Sequence, residues 1–150
     1  MSETTGFKPV YTTAENIAIA IQDPQGVQAP GKIYEYGQYL FVNEITKGIH
    51  VYDNSDPSDP VPLAFIKIPG NTEMAIRDSI LYANHLGNIA AIRLKDVHTI
   101  EEVASLPLQG SSAGVLPPKG YYFECVDPAK GLVLNWVSTG RNNMDCYALR

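Results

Sequence analysis

Several residue groups in this chain have types and spacings that could do chemistry. Gly110-Ser111-Ser112-Ala113-Gly114 has the Gly-x-Ser-x-Gly spacing of a nucleophile elbow, which exposes a serine on a strained turn between a strand and a helix. Val115-Leu116-Pro117-Pro118 follows, and a run ending in two prolines does not sustain that helix, so the stretch reads as a connector. Asp53, Ser55, Asp56 and Asp59 offer oxygens to a cation. A calcium loop of the EF-hand type needs Gly at its sixth position and Glu at its twelfth, and counting from Asp53 these places hold Ser58 and Ala64. The loop reads instead as a rigid connector: Asp53, Ser55 and Asp56 can cap backbone N–H groups, and Pro57 and Pro60 fix φ. His50, His85 and His98 include no i, i+4 pair suited to a metal, and only a triad assembled in space, with Ser112 for instance, would make one of them catalytic.

No catalytic residue, metal ligand or cofactor site emerges from these groups, and the chain reads as non-enzymatic. Polar residues read as strand starts remain. Asn43, Glu44 and Asn84 are the weak candidates for contacting a ligand or partner. The two cysteines, Cys125 and Cys146, have neither a Cys-x-x-Cys spacing nor a nearby histidine pair for zinc. Two readings stand side by side: separate buried thiols, or one structural disulfide tying the C-terminal segment to a neighbouring strand, which would place the protein in an oxidising compartment.

The elements that must position these residues follow a repeat. Gly37-Gln38-Tyr39-Leu40-Phe41-Val42-Asn43 returns as Asp78-Ser79-Ile80-Leu81-Tyr82-Ala83-Asn84, and again, with drift, as Lys119-Gly120-Tyr121-Tyr122-Phe123-Glu124-Cys125, a period of about 41 residues. Each copy is a turn signal followed by an apolar run of strand type. The first unit offers strands at 32–36, 39–45, 49–53 and 63–68. The second offers 73–77, 80–85, 89–94 and 102–108. Four strands per unit and this period predict all-β architecture with β-propeller-type four-stranded antiparallel units, two to three in number, forming a partial propeller.

The expected domain division is an N-terminal arm and linker over 1–31 and a repeat domain over 32–150, with units at about 32–70, 73–110 and 115–150. Residues 1–12 read as an irregular lead-in. Thr12-Thr13-Ala14-Glu15 fits a capping box, and the alternation of Ile17, Ile19 and Ile21 with Ala18 and Ala20 has a strand period. In the degenerate third unit, 121–126 and 132–137 read as a hairpin across Asp127-Pro128-Ala129-Lys130-Gly131. The tail Met144–Leu149 offers a short strand. Trp136, alternating with Leu134, reads as core. Tyr34, Tyr36, Tyr39, Tyr121 and Tyr122, among nine tyrosines, read as packing between units with their hydroxyls in solvent.

Composition narrows the partners. The chain has 150 residues, 45% of them apolar, and a net charge of −5 from 16 acidic and 11 basic residues. No basic stripe is present, which argues against nucleic acid. No apolar run approaches the roughly 20 residues of a transmembrane helix. Met1-Ser2-Glu3-Thr4-Thr5 has neither the basic nor the apolar region of a signal peptide.

Gly48-Ile49-His50-Val51-Tyr52-Asp53-Asn54-Ser55-Asp56-Pro57-Ser58-Asp59-Pro60, followed by Pro62-Leu63-Ala64-Phe65, resembles the LVIVD repeat of bacterial cell-surface β-propellers, many of them lipoproteins. Pro30-Gly31-Lys32-Ile33-Tyr34, Tyr122–Pro128 and Lys130–Val133 extend the likeness over roughly 30–137. In the second unit Asp96-Val97-His98 replaces the Ser-Asp-Pro loop, so the likeness is weaker there. The resemblance implies an extracytoplasmic location, in the periplasm or on the outer surface, and a longer parent chain. The expected function is a non-enzymatic binding or scaffold module. Its partner would be another protein, the remaining blades of a longer chain, or a second copy by self-association. The alternative is an enzyme or small-ligand-binding propeller with its site at the channel mouth.

Overall fold

Short apolar runs separated by tight turns form strands because two-residue loops reverse the chain only where positive φ is tolerated. Gly37 (φ 59°) turns the chain between Tyr36 and Tyr39, and Asp78 (φ 51°) with Ser79 (φ 63°) does so between Arg77 and Ile80. The structure, a computed structural model, describes residues 5–13, 16–96, 99–107, 114–140 and 144–148. The described residues contain no α-helix. The protein is all-β, in mainly antiparallel sheets of four to five strands, and none of the sheets closes on itself.

The first sheet is a meander of β3 (Pro30–Tyr36), β4 (Tyr39–Glu44), β5 (Gly48–Asp53) and β6 (Val61–Lys67), with β2 (Ala20–Gln22) added against β6, giving the order β2-β6-β5-β4-β3. The second is a meander of β7 (Met74–Arg77), β8 (Ile80–His85), β9 (Asn88–Asp96) and β10 (Thr99–Pro107), in the order β10-β9-β8-β7. Strand placement follows the expected runs, except that β9 and β10 extend to Asp96 and from Thr99 into the segment read as a loop.

Phe41, Ile49, Val51 and Ile66 of the first sheet pack with Ile76, Leu81, Ala83, Ala90 and Ile92 of the second in one buried cluster. Two tyrosines join the sheets further. The Tyr34 hydroxyl donates to the Ile76 carbonyl at 3.1 Å, and the Tyr36 hydroxyl accepts from the Ser79 N–H at 2.9 Å. These hydroxyls are therefore spent on the neighbouring sheet's backbone and not on solvent, because the edge strand carrying Ile76 and the two-residue turn at Asp78-Ser79 present backbone groups within their reach.

The third sheet corrects two expectations. Residues 5–12 are not an irregular lead-in but a strand, β1 (Thr5–Thr12). The hairpin expected between 121–126 and 132–137 does not form. β1 lies between β11 (Tyr122–Phe123) and β12 (Leu132–Gly140), and β13 (Cys146–Tyr147) completes the order β12-β1-β11-β13. β1 runs antiparallel to β12, from Thr5↔Gly140 to Thr12↔Leu132, and parallel to β11 at Gly6↔Tyr122 and Phe7↔Phe123. The arm over 1–31 is thus shared between two sheets, β1 in the third and β2 in the first. Of the capping-box stretch, Ala14 and Glu15 lie outside the described residues.

The physical reason for the missing hairpin is the connection between its arms. Asp127 caps a 3-10 turn at Pro128–Lys130 by accepting from the Ala129 N–H at 3.0 Å, and this turn holds β11 and β12 one strand apart. Gly131 (φ 108°) allows the close approach, since a Cβ there would stand 2.3 Å from the Thr12 carbonyl oxygen. Trp136 is buried as expected, with its ring edge-on to Phe123 and its Nε1 donating to the Val115 carbonyl at 2.8 Å.

Candidate functional site: a buried amide chain and its adjoining cleft

β4 ends in two polar residues, and the pleat sends them to opposite faces. Asn43 points with Phe41 toward the second sheet. Glu44 points the other way, with Val42, and all four are buried.

On the inner side, the Asn43 amide Nδ2 donates to the Asn71 side-chain oxygen at 2.7 Å and to the Gly48 carbonyl at 3.0 Å. Asn71 sits in the connection between β6 and β7 and is itself fully buried. Its Nδ2 donates to the Asn84 side-chain oxygen at 3.0 Å and to the Glu73 carbonyl at 2.9 Å. The Asn84 oxygen also accepts the Thr72 and Glu73 N–H groups, each at 2.9 Å, which fixes the entry to β7. Three amides therefore run from the first sheet through the connection into the second. The Asn43 oxygen is buried without a partner, facing Gly31, where a Cβ would lie 2.4 Å away.

On the outer side, Glu44 Oε1 accepts from the Gln28 N–H at 2.8 Å and lies 2.9 Å from His50 Nε2, while Oε2 accepts from the Ala29 N–H. Burial pushes the Glu44 carboxyl upward. The Gln28 N–H, the His50 ring and the Ala29 N–H together outweigh that and hold it below its ordinary value. An ionised carboxylate opposite Nε2 makes that nitrogen the donor. The His50 ring packs on Phe65 with centroids 4.9 Å apart. The carboxylate thus pins the linker carrying Gln28 and Ala29 across the first sheet, and both of its oxygens are occupied.

Of the three expected contact residues, Asn43 and Glu44 are fully enclosed in these networks. Asn84 is half-buried and lines a cleft of about 340 Å³. Thr46, Thr72 and Asn84 form one wall, and Val115, Leu116, Leu134, Asn135 and Lys119 form the other, so the cleft separates the first two sheets from the third. A second cleft of about 230 Å³ opens between the first two sheets, beside Tyr36, Phe41, Val51 and Leu94. Sequence reasoning missed Asn71. Its position after Pro69-Gly70 reads as loop, and only its register with Asn43 and Asn84 reveals the link.

The other expected groups are also placed. Asp53 Oδ1 accepts from Ser55 N–H (2.9 Å) and Oγ (2.5 Å), and Asp56 Oδ1 from Ser58 N–H (3.0 Å) and Oγ (2.6 Å). These serines hold both carboxyls below their ordinary values. His85 Nε2 meets the Ile17 carbonyl oxygen at 2.6 Å, tying the arm to the second sheet. His98 and the serines of the Gly-x-Ser-x-Gly stretch lie outside the described residues. Cys125 and Cys146 are joined as a disulfide, with Cα atoms 5.3 Å apart, beside the two-residue ladder of β11 and β13.

Comparison with known proteins finds no matching family model, no matching curated protein and no matching solved structure. The geometry alone therefore carries the functional reading. Amides bonded to backbone and a carboxylate with both oxygens occupied can hold chain segments together. Among the described residues, the cleft beside them is lined by neutral hydrogen-bonding groups, apolar side chains and the ammonium of Lys119.

Proposed function

We propose that the chain is a non-enzymatic binding or scaffold segment of an extracytoplasmic β-propeller of the LVIVD-like type. One observation carries this reading. Corresponding positions in the first two sheets, Phe41-Asn43 and Tyr82-Asn84, do not face each other. The Phe41-Asn43 face packs on the Leu81-Ala83 face of the second sheet, which leaves the Tyr82-Asn84 face turned outward. Units stacked front to back in this way extend by the same step from one to the next, as blades about an axis do, whereas a two-fold sandwich would bring like faces together.

The disulfide supports the compartment, because such bonds persist where the environment is oxidising. Cell fractionation combined with thiol alkylation tests the reading. The expected result is a protein outside the cytoplasm with both cysteines blocked. A cytoplasmic protein with two alkylatable thiols defeats it, and so does a purified turnover abolished by a single substitution in this chain.

The cleft of about 340 Å³ beside Asn84 favours the second reading, a small-ligand site at the channel mouth. Because Asn43 and Glu44 are enclosed, the informative substitutions are Lys119→Ala, Asn135→Ala and Thr72→Ala. A ligand whose affinity is unmoved by all three does not bind there.

A further inference from the structure

We propose that the gap between β11 and β12 is a strand-acceptor slot, and that the β1 strand of a second copy of this chain can fill it, giving a reciprocally exchanged dimer. The proposal stands whether or not the chain also binds another protein.

The slot belongs to the C-terminal part of the chain. The capped 3-10 turn at Pro128–Lys130 and the Cys125–Cys146 disulfide sit on either side of β11, and every feature that receives β1 lies in this part. Gly131 leaves room for the Thr12 carbonyl. The Asp127 N–H donates to the Tyr11 hydroxyl at 2.8 Å, and the Lys130 ammonium lies 5.8 Å from the Tyr11 ring centroid. Tyr121 meets Phe7 edge-on at 5.2 Å, and the Glu124 N–H donates to the Phe7 carbonyl at 2.9 Å.

The donor is held in the way a separable strand is held. Within β1 only Gly6 and Pro9 are buried, so its attachment rests mainly on the backbone ladder to β12, and a ladder forms equally well between chains. The residues after β1 lead out of the third sheet to β2 in the first, so donor and acceptor sit on opposite sides of a short tether.

The occupant follows from the register. Pro9 lies opposite Trp136, where it faces no strand on its β11 side, and Tyr11 and Thr12 fit Asp127 and Gly131. A proline in the wrong register would remove a ladder hydrogen bond. A second copy offers the same residues in the same order. Each chain then gives one strand and receives one, which closes the exchange at two copies.

Mixing two full-length variants tests this. Lys8 and Val137 are direct partners across β1 and β12. A Lys8→Cys chain and a Val137→Cys chain are incubated together at rising concentration and then oxidised. The expected product is a mixed species of twice the chain mass, joined through positions 8 and 137, whose share grows with concentration. Its absence at every concentration overturns the proposal, as does a dimer joined elsewhere. Should either variant fail to fold, unlabelled and ¹⁵N-labelled wild-type chains are mixed and weighed by native mass spectrometry. Mixed dimers suppressed by excess synthetic peptide of residues 5–13 support exchange. Monomers alone, or dimers indifferent to the peptide, overturn it.

Discussion

The side-chain amide of Asn43 donates to the side-chain oxygen of Asn71 across 2.7 Å of fully buried space, and so ties the penultimate residue of β4 to the connection leading into the second sheet. Asn71→Ala should destabilise the fold by about 1–3 kcal/mol, because it removes from a fully buried position the side chain that accepts from Asn43 and donates to Asn84 and the Glu73 carbonyl. Asn71→Asp should cost more, since it adds a buried charge in place of the donor to Asn84. Denaturant unfolding checks both. A double-mutant cycle of Asn43→Ala with Asn71→Ala should show coupling, because the two side chains share one network.

The pH response of the first sheet follows from Glu44. Its folded carboxyl lies below its ordinary value of 4.5. A depressed folded value means stability that is fully present above the unfolded value and is lost as pH falls through the folded one. Glu44→Gln should therefore be less stable than wild type at neutral pH, by about 2–3 kcal/mol, the scale for losing hydrogen bonds to a buried charged group. The gap between the two proteins should narrow as pH falls below 4.5, the wild type declining toward the variant. Thermal melts of both across pH 3–7, roughly the range in which carboxylates titrate, measure this. A gap that widens on acidification would contradict it.

Tyr36→Phe removes the hydroxyl that accepts from Ser79 and should cost about 1 kcal/mol while leaving the ring's packing intact. Hydrogen exchange adds a local readout, with the Ser79 amide losing protection more than the amides of β4.

Cys125→Ser together with Cys146→Ser should lower stability by about 3 kcal/mol, the size expected for opening a loop of this length. The loss should show first in β13, which pairs β11 only at Tyr122↔Tyr147 and Phe123↔Cys146. Reduction of the wild type should reproduce the same local opening, followed by exchange at Tyr147.

The strands of the first two sheets were legible because their signals are local. Alternation along Tyr39–Glu44 and Ile80–His85, and turn residues at Gly37 and Asp78, define strands and reversals within a few positions of each other. The candidate site was legible only in part. Asn43, Glu44 and Asn84 stand out as polar residues and read as strand starts, whereas they lie at the ends of β4 and β8, and nothing near them in the chain shows that Asn43 and Glu44 are sealed inside. Their partners Asn71, Gln28 and Ala29 come from other segments.

The residues by themselves determined that this is an all-β chain of meandering strands and set nearly every turn of the first two sheets. Only the tertiary structure decided what stands beside β11 and β12. Their shared loop reads as a hairpin, yet the strand between them is Thr5–Thr12, paired from Thr5 to Gly140 across almost the whole chain. Strand formation depends on neighbours two residues apart, which a sequence displays directly. Strand pairing depends on which distant edge satisfies unpaired backbone groups at the lowest cost, and that is settled only when all edges are present together.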